Sequence, residues 1–562
     1  MGRLGKMIGK PNISLTGVLC LIILISAGAG VLQQPPVRSQ PSPVQNAQKQ
    51  PATVQPVSAK TTTPTKVFLE AADSIAFDTL ISKEAQIVYG NVIFRHEGTY
   101  MYCDSAYLYR DKNILEAFSN VRMEQGDTLF VYGDYLIYEG NLALARLRNN
   151  ARMENDSVTL FTDSLNYDRL RNIGYYFDGG MIIDPTNKLT SIYGQYLPGT
   201  KEAFFRKNVT LTNESMVLTS DTLRYQTDTK IAVILGPSVI KSDSGMIYST
   251  RGWYNTVTEE SKFYDRSQVW SNDYRQMLTG DVIHYNQITG FGEAFGDVML
   301  NDITKKVILT GNYGYFLNLE ENAMVTDSAQ MIEYSQGDSL FLHADTLRMI
   351  TVGADTAKNR TITAYYGVRF FRSDIQGVCD SMQYNTADSI LRMYQEPVLW
   401  NENYQIKGDT ILLFFNDSTI SKARVYPYAF ATEQIHADYF NQMKGKELWA
   451  YFLDGELHEV YMNGNAQSIF YPLEEDGAFI GLNQTESSYF RIWVKDRKPG
   501  RMLFWPSPKG YMLPIPDLTP ETKFLQGFAD MNYLRPLKKE DIFVKIPKKE
   551  KTPEELQVRR RR

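Results

Sequence analysis

Along most of this chain, short apolar runs alternate with polar positions and are broken by Gly, Asn and Asp. Tyr, Phe, Val, Ile, Thr and Leu fill the runs, which suits a pleated, half-buried surface. The breaks hold residues that tolerate turn dihedrals. No helical spacing of i, i+3, i+4, i+7 is sustained. The pattern predicts long strands, with residues 128–138 and 141–154 as a consecutive pair. It also repeats. Tyr109, Tyr138, Tyr167, Tyr196, Tyr225 and Tyr254 are each 29 residues apart. The beat continues with drift at Tyr285, Tyr315, Met349, Tyr384 and Leu413, and Phe77 fits one step earlier. A fixed period of this size marks a repeat architecture.

Each tyrosine closes a short motif, as in Asp163-Ser164-Leu165-Asn166-Tyr167 and Asp221-Thr222-Leu223-Arg224-Tyr225. Most are followed by a second landmark, a polar or small residue and then an apolar one: Asn91-Val92, Asn120-Val121, Asn208-Val209, Ser238-Val239, Asp297-Val298. A strand rises ~3.3 Å per residue, so a unit of this length divides into two strands and two turns. The motif Asp recurs unit after unit, whereas an acid–base pair is needed once per active site. It is therefore assigned to a turn where one strand ends and the next begins. The tyrosines are assigned to a side-chain ladder on one face.

The ends differ from the repeats. Residues 1–32 hold Arg3, Lys6 and Lys10, then the uncharged apolar stretch 13–32 with Ala27-Gly28-Ala29. This predicts a secretory signal peptide, with an uncleaved membrane anchor as the alternative. Residues 33–66 are rich in Pro, Gln, Ser and Thr and read as a disordered linker. The repeats span 67–430, and a β segment of the same body follows over 431–515. Residues 516–562 are assigned to a short helix and a basic tail. Thr519 is its N-cap, and Phe524, Leu525 and Phe528 form its apolar face, placed to cap the last sheet edge. Three cysteines give no disulfide framework. Cys103 and Cys379 both precede an Asp-Ser motif, as core-facing thiols would. The five histidines are scattered without metal spacing, and no cofactor motif is present. With 59 basic and 64 acidic residues, no nucleic-acid surface is expected.

The array of Asp-Ser/Thr-Leu-x-Tyr motifs, each followed by Gly/Asn-x-Val, resembles the OstA-like family. The run from Gly481 to Ser488 extends the likeness to long members of Bacteroidetes-type bacteria. That family includes the periplasmic bridge proteins of lipopolysaccharide transport. The resemblance implies an all-β, elongated repeat β-jellyroll: about a dozen units of stacked antiparallel strands, folded like a taco around an apolar groove. It implies a periplasmic, membrane-proximal protein that guides lipid A acyl chains toward the outer membrane. It also implies other transport components as partners, bound through the end strands. No enzymatic activity is expected. The groove candidates are the apolar residues of the second landmark: Val92, Val121, Met123, Val209, Leu211, Val239, Val298 and Leu300. A closed hydrophobic core would use the same residues. The most uniform groove is expected between Tyr109 and Tyr254, where the spacing is strictest. Three other readings compete. A surface or periplasmic stalk fits the repeats equally well. A carbohydrate-active β-solenoid would need one unit with an extra acidic cluster. A membrane barrel would need uninterrupted lipid-facing registers.

Overall fold

The computed structural model describes residues 65–78, 84–317, 322–335, 337–353, 358–416, 419–453, 456–474, 477–495 and 498–545. The expected signal or anchor, nearly all of the linker, and the end of the basic tail lie outside them. The chain is almost entirely antiparallel β-strand. Each strand hydrogen-bonds mainly to its sequence neighbours, as stacked repeats require. Two compact units are present. One runs to Asp265 and includes Asn286–Ile288; the other comprises Arg266–Tyr285 and the chain from Thr289 onward.

The repeating element is a long strand with a corner at its middle. Leu129–Glu139 buries Leu129, Val131 and Gly133, then switches phase and buries Leu136 and Tyr138. Its partner Ile114–Gln125 buries Leu115 and Ala117 before the corner, then Val121 and Met123 after it. Between them the register skips: Phe118 faces Tyr135 and Val121 faces Gly133. Two residues on one strand, Ser119 and Asn120, thus oppose the single Asp134. Both have positive φ, 61° and 51°. The same two-against-one bulge recurs at Gly90–Asn91 opposite Asp104, Asn149–Asn150 opposite Asp163, and Lys207–Asn208 opposite Asp221. In the second unit it recurs at Gly296–Asp297 opposite Asn312 and at Tyr366–Gly367 opposite Asp380. A β-bulge bends the strand and sharpens its twist. Each strand therefore contributes one half to each of two half-sheets, and both halves turn apolar side chains inward.

This corrects the assignment of the motif Asp. At Asp104, Asp134, Asp163, Asp221 and Asp380 it lies in the middle of a strand, at the corner, while Asp73 and Asp345 do lie between two strands, as expected. There it holds a neighbouring corner: Asn120 Nδ2 donates to Asp104 Oδ2 at 2.7 Å, Asn150 to Asp134 at 2.6 Å, and Asn91 to Asp73 at 3.0 Å. The two sequence landmarks are thus hydrogen-bonded partners. Left-handed backbone costs ~1–2 kcal/mol per ordinary residue, and Asn, Asp and Gly bear it best. At Gly90, φ is +76° and a Cβ would stand 2.3 Å from Asp73 Oδ2, so a side chain is excluded on both counts.

The inward positions of the first unit form one buried apolar cluster from Val67 to Phe263. The second unit has its own cluster, from Val307 to Ile492. Cys103 and Cys379 are buried free thiols, and burial pushes Cys103 up to about 12. The one-turn helix Pro520–Lys523 is capped by Thr519 and Thr522, each side chain accepting from the other's backbone N–H. The segment after it runs across the outer face of the second unit and does not cap the last edge. Sheet side chains hold its backbone. Gln442 donates to the Lys523 carbonyl and accepts from Leu525 N–H, Gln405 does the same for Ala529 and Met531, and Arg369 donates to the Leu534 and Asp541 carbonyls. Leu525 packs against Phe430, Ile469 and Tyr471.

The corner predicts a ranked pair of variants. Asn150→Gly keeps the left-handed backbone and loses the bond to Asp134, a loss of about 1 kcal/mol. Asn150→Val adds the left-handed penalty, for about 2–3 kcal/mol in total. Urea unfolding of the full chain, followed by β-sheet circular dichroism, should rank them in that order.

Candidate functional site

The interior between the half-sheets is the candidate site, and its two units differ. In the first unit, Val92, Val121, Met123, Val209 and Leu211 are all buried, at 2% exposure or less. They sit on the half-sheet that follows the corner and touch the protein's own side chains. Here the expected groove is a filled core. Val239 does not belong to the inward set. It pairs with Thr219 on the outward register and is half-exposed, while Ile240 pairs with Leu218 and is buried. No pair of left-handed residues stands before Val239; Gly236 and Pro237 break the strand instead. The register still shifts as at the other corners, with Gly236 and Pro237 opposite Asp221, so Ser238 takes the inward position that Val121 holds and Val239 the outward one after it.

The tyrosines lie inward too, on the half-sheet across from the second landmark. Tyr138, Tyr167, Tyr196, Tyr225 and Tyr254 are buried. Tyr109 is half-exposed on the outward face, and Leu108 takes the ladder position. The reason is the corner: Leu108 follows Asp104 by four residues, just as Tyr138 follows Asp134. By the same count Phe316, four beyond Asn312, replaces Tyr315.

The hydroxyls of these tyrosines shut the mouth between the half-sheets. Tyr138 and His96 meet at 2.6 Å from opposite lips. Tyr167 donates to Gln125 at 2.8 Å, Tyr196 to Asn155 at 3.0 Å and Tyr225 to Asp184 at 2.6 Å. Charges reinforce the row. Arg169 reaches the His96 carbonyl at 2.6 Å and pairs with Glu97, and Lys230 Nζ lies 2.9 Å from Asp184. Burial pushes the Tyr138 and Tyr196 hydroxyls up to about 12, so they stay protonated and able to donate. Burial also opposes ionisation of Asp184. The bonds from Tyr225, Lys230 and the Thr186 and Asn187 backbone outweigh it and hold this carboxyl below its usual range. His96 Nε2 lies 3.0 Å from the Thr65 carbonyl, which can only accept. Nε2 therefore carries the proton of the neutral ring, and Nδ1 accepts from Tyr138. Burial, and then Arg169, depress the His96 pKa.

The second unit departs from this between residues 267 and 326. Val269, Leu278, Leu300 and Leu309 occupy the inward positions held in the first unit by Met123, Val131, Met153 and Leu160. Their counterparts are fully buried, yet these four are half-exposed. Val298 stays buried beside Ile283 and Ala294 in a small separate cluster. Inward side chains also shrink. Gly292 and Gly314 stand where the first unit has Ala145 and Leu165. The Phe316 ring fills the space a Cβ at Gly292 would take, at 2.3 Å. Within this stretch the ladder keeps its hydroxyl at Tyr285 and loses it at Phe316; beyond it, Met349 and Leu413 lack one and Tyr384 has one. The result is an apolar trough on an unchanged strand register. Sequence reasoning pointed to Val298 and Leu300 but missed Val269, Leu278 and Leu309. A count of residues from each corner Asp or Asn would have found them.

Among the described residues, no group of His, Cys, Asp and Glu has the geometry of a metal site. No helix among them is long and apolar enough to cross a membrane. The family model described as OstA-like protein matches residues 64–221 and 206–281. No curated protein matches the chain in sequence.

Two predictions follow from the clasp. Tyr138→Phe leaves His96 Nδ1 buried and unpaired and should cost about 1–3 kcal/mol, while Tyr109→Phe on the outward face should cost under about 0.5 kcal/mol. Hydrogen exchange at the His96 and Arg169 turns should rise in the first variant alone. The pH dependence has a definite sign. A histidine whose folded pKa lies below its ordinary ~6.5 binds protons more readily when unfolded, so its contribution is whole above that value and is lost as pH falls through it. Melting of the wild type should drop between about pH 7 and 5, and His96→Gln should flatten that drop.

Proposed function

The chain belongs to the OstA-like family, and from that premise we propose that it binds lipopolysaccharide in the periplasm and guides its acyl chains toward the outer membrane. The carrying observation is the change of interior between the two units: filled and clasped in the first, half-exposed from 267 to 326 in the second. Apolar side chains facing inward yet open to water form a surface that gains free energy by being covered. An acyl chain gains ~0.8 kcal/mol for each CH₂ it buries. Where the interior is already packed, a chain would displace protein contacts of equal worth and gain little. The trough at Leu278, Leu300 and Leu309 is therefore the proposed seat, and Val298 is its floor. Near-equivalent neighbouring positions let a chain slide without a deep trap. Partners would join by strand addition at the sheet ends.

The closed first unit also supports a second reading, a structural stalk in which the interior is only a core. In cells, a photoreactive residue replacing Leu300 or Leu309 should yield lipopolysaccharide adducts. The same residue at outward Lys241 should not. Equal labelling at all three sites, or none at the trough, would sink the conduit reading and leave the stalk.

A further inference from the structure

The second unit holds a cavity of about 190 Å³ on its outer face, away from the apolar interior. One wall is the sheet; the other is the C-terminal segment that Gln405, Gln442 and Arg369 strap across it. The aromatic part of the lining is Trp400, Phe440 and Phe528, with the two phenylalanine rings edge to face at 5.2 Å. The rest is polar and includes Gln434, Glu402, Asp530, Asn532 and Arg535.

Much of that polarity is uncommitted. Trp400 is buried, and its Nε1–H has no partner among the described residues. A buried donor left unpaired is uncommon and needs an explanation. Asp530 Oδ1 accepts from the Asn532 N–H at 2.9 Å, which leaves Oδ2 available. Among the described residues the side-chain amides of Asn532 and Gln434 make no hydrogen bond either. Arg535 is fixed in place, donating to Gln376 Oε1 at 2.8 Å and to the Glu402 carbonyl at 2.9 Å. Its remaining N–H groups are left to donate.

We propose that this cavity binds one sugar residue, a neutral or amino pyranose. Three properties select that class. The volume falls below the ~300 Å³ at which drug-sized ligands begin and suits a single hydroxylated six-membered ring. Carboxamides and carboxylates offer paired donors and acceptors of the kind vicinal hydroxyls need, and flat aromatic faces suit the apolar C–H face of such a ring. Two carboxylates against one guanidinium disfavour an anionic ligand. The sugar bridges sheet and strap, so binding tightens the C-terminal segment by linkage. The proposal does not rest on the acyl-chain reading, because the site lies outside the interior and needs no lipid.

The test uses the full chain and saturation-transfer NMR with glucose, galactose, mannose and glucosamine, and with the deacylated oligosaccharide of lipopolysaccharide. At least one should bind, with a dissociation constant of order 1 mM for so small a ligand. Asn532→Ala and Asp530→Asn, both exposed on the strap, should weaken it at least fivefold without moving the melting temperature. Trp400→Phe should weaken it too, with some loss of melting temperature because the smaller ring leaves a void in the packed cluster around Val378 and Val398. Bound sugar should slow hydrogen exchange over residues 523–535. Response to free monosaccharides marks a general sugar site, and response to the oligosaccharide alone marks a headgroup site; either supports the proposal. Absence of transfer from every probe, or transfer unchanged in all three variants, overturns it. Adducts at Leu300 are unaffected by either outcome, so failure here is distinct from failure of the conduit.

Discussion

Everything in this fold depends on a mid-strand corner in which two left-handed residues face one carboxylate or amide. A flat strand of eleven or twelve residues cannot cover its own apolar face. Bent at the middle, it presents one apolar half to the other, and each hairpin closes around its own interior. The conformational cost is met by chemistry that the repeat supplies. At most corners at least one residue of the left-handed pair is Asn, Asp or Gly, and the Asp of a neighbouring strand accepts the Asn side chain at several of them. Because the corner fixes the phase on both sides, it decides which residues line the interior. Before Val239 the two-against-one count is kept by Gly236 and Pro237 without left-handed backbone, and Ser238, not Val239, falls on the inward position.

The clasp across the mouth follows from the same geometry. A residue four beyond the corner Asp always reaches the lip of its half-sheet. If it is tyrosine, its ring fills the interior and its hydroxyl meets the opposite lip. If it is phenylalanine, methionine or leucine, the ring or chain remains but the bond across the mouth does not. A single oxygen thus decides whether a given repeat can clasp its own mouth. The trough at 267–326 adds smaller inward residues to that loss. Regular spacing produced the tightest packing, so the most regular stretch is a filled core.

The strands were legible in the sequence because alternation is local: 128–138 and 141–154 were expected, and Leu129–Glu139 and Leu144–Asn155 are found. The corner was not, because Asn150-Ala151 in mid-strand has the composition of a turn between strands. The tyrosine spacing revealed the repeat but misplaced its first step. Tyr109 keeps the period while Leu108 keeps the phase, and only the bulge opposite Asp104 tells them apart. The clasp joins residues about forty apart, such as Tyr138 and His96, and no local pattern encodes that meeting. The strap was half legible: Thr519-Pro520 announced its helix, but its contacts with Gln405 and Gln442 reach back across more than eighty residues.

The central claim is that the half-exposed trough of the second unit, and not the sealed first unit, takes up acyl chains. With Cys20 replaced by Ser, the buried thiols of Cys103 and Cys379 leave a cysteine introduced at Leu309 free to carry a nitroxide selectively. The most direct measurement adds lipopolysaccharide bearing a second nitroxide on an acyl chain and reads dipolar broadening. The account predicts strong broadening at Leu309 and none with the label at Lys241 on the outward face. Spectra at Leu309 unchanged by saturating lipid, or broadened no more than at Lys241, would contradict it.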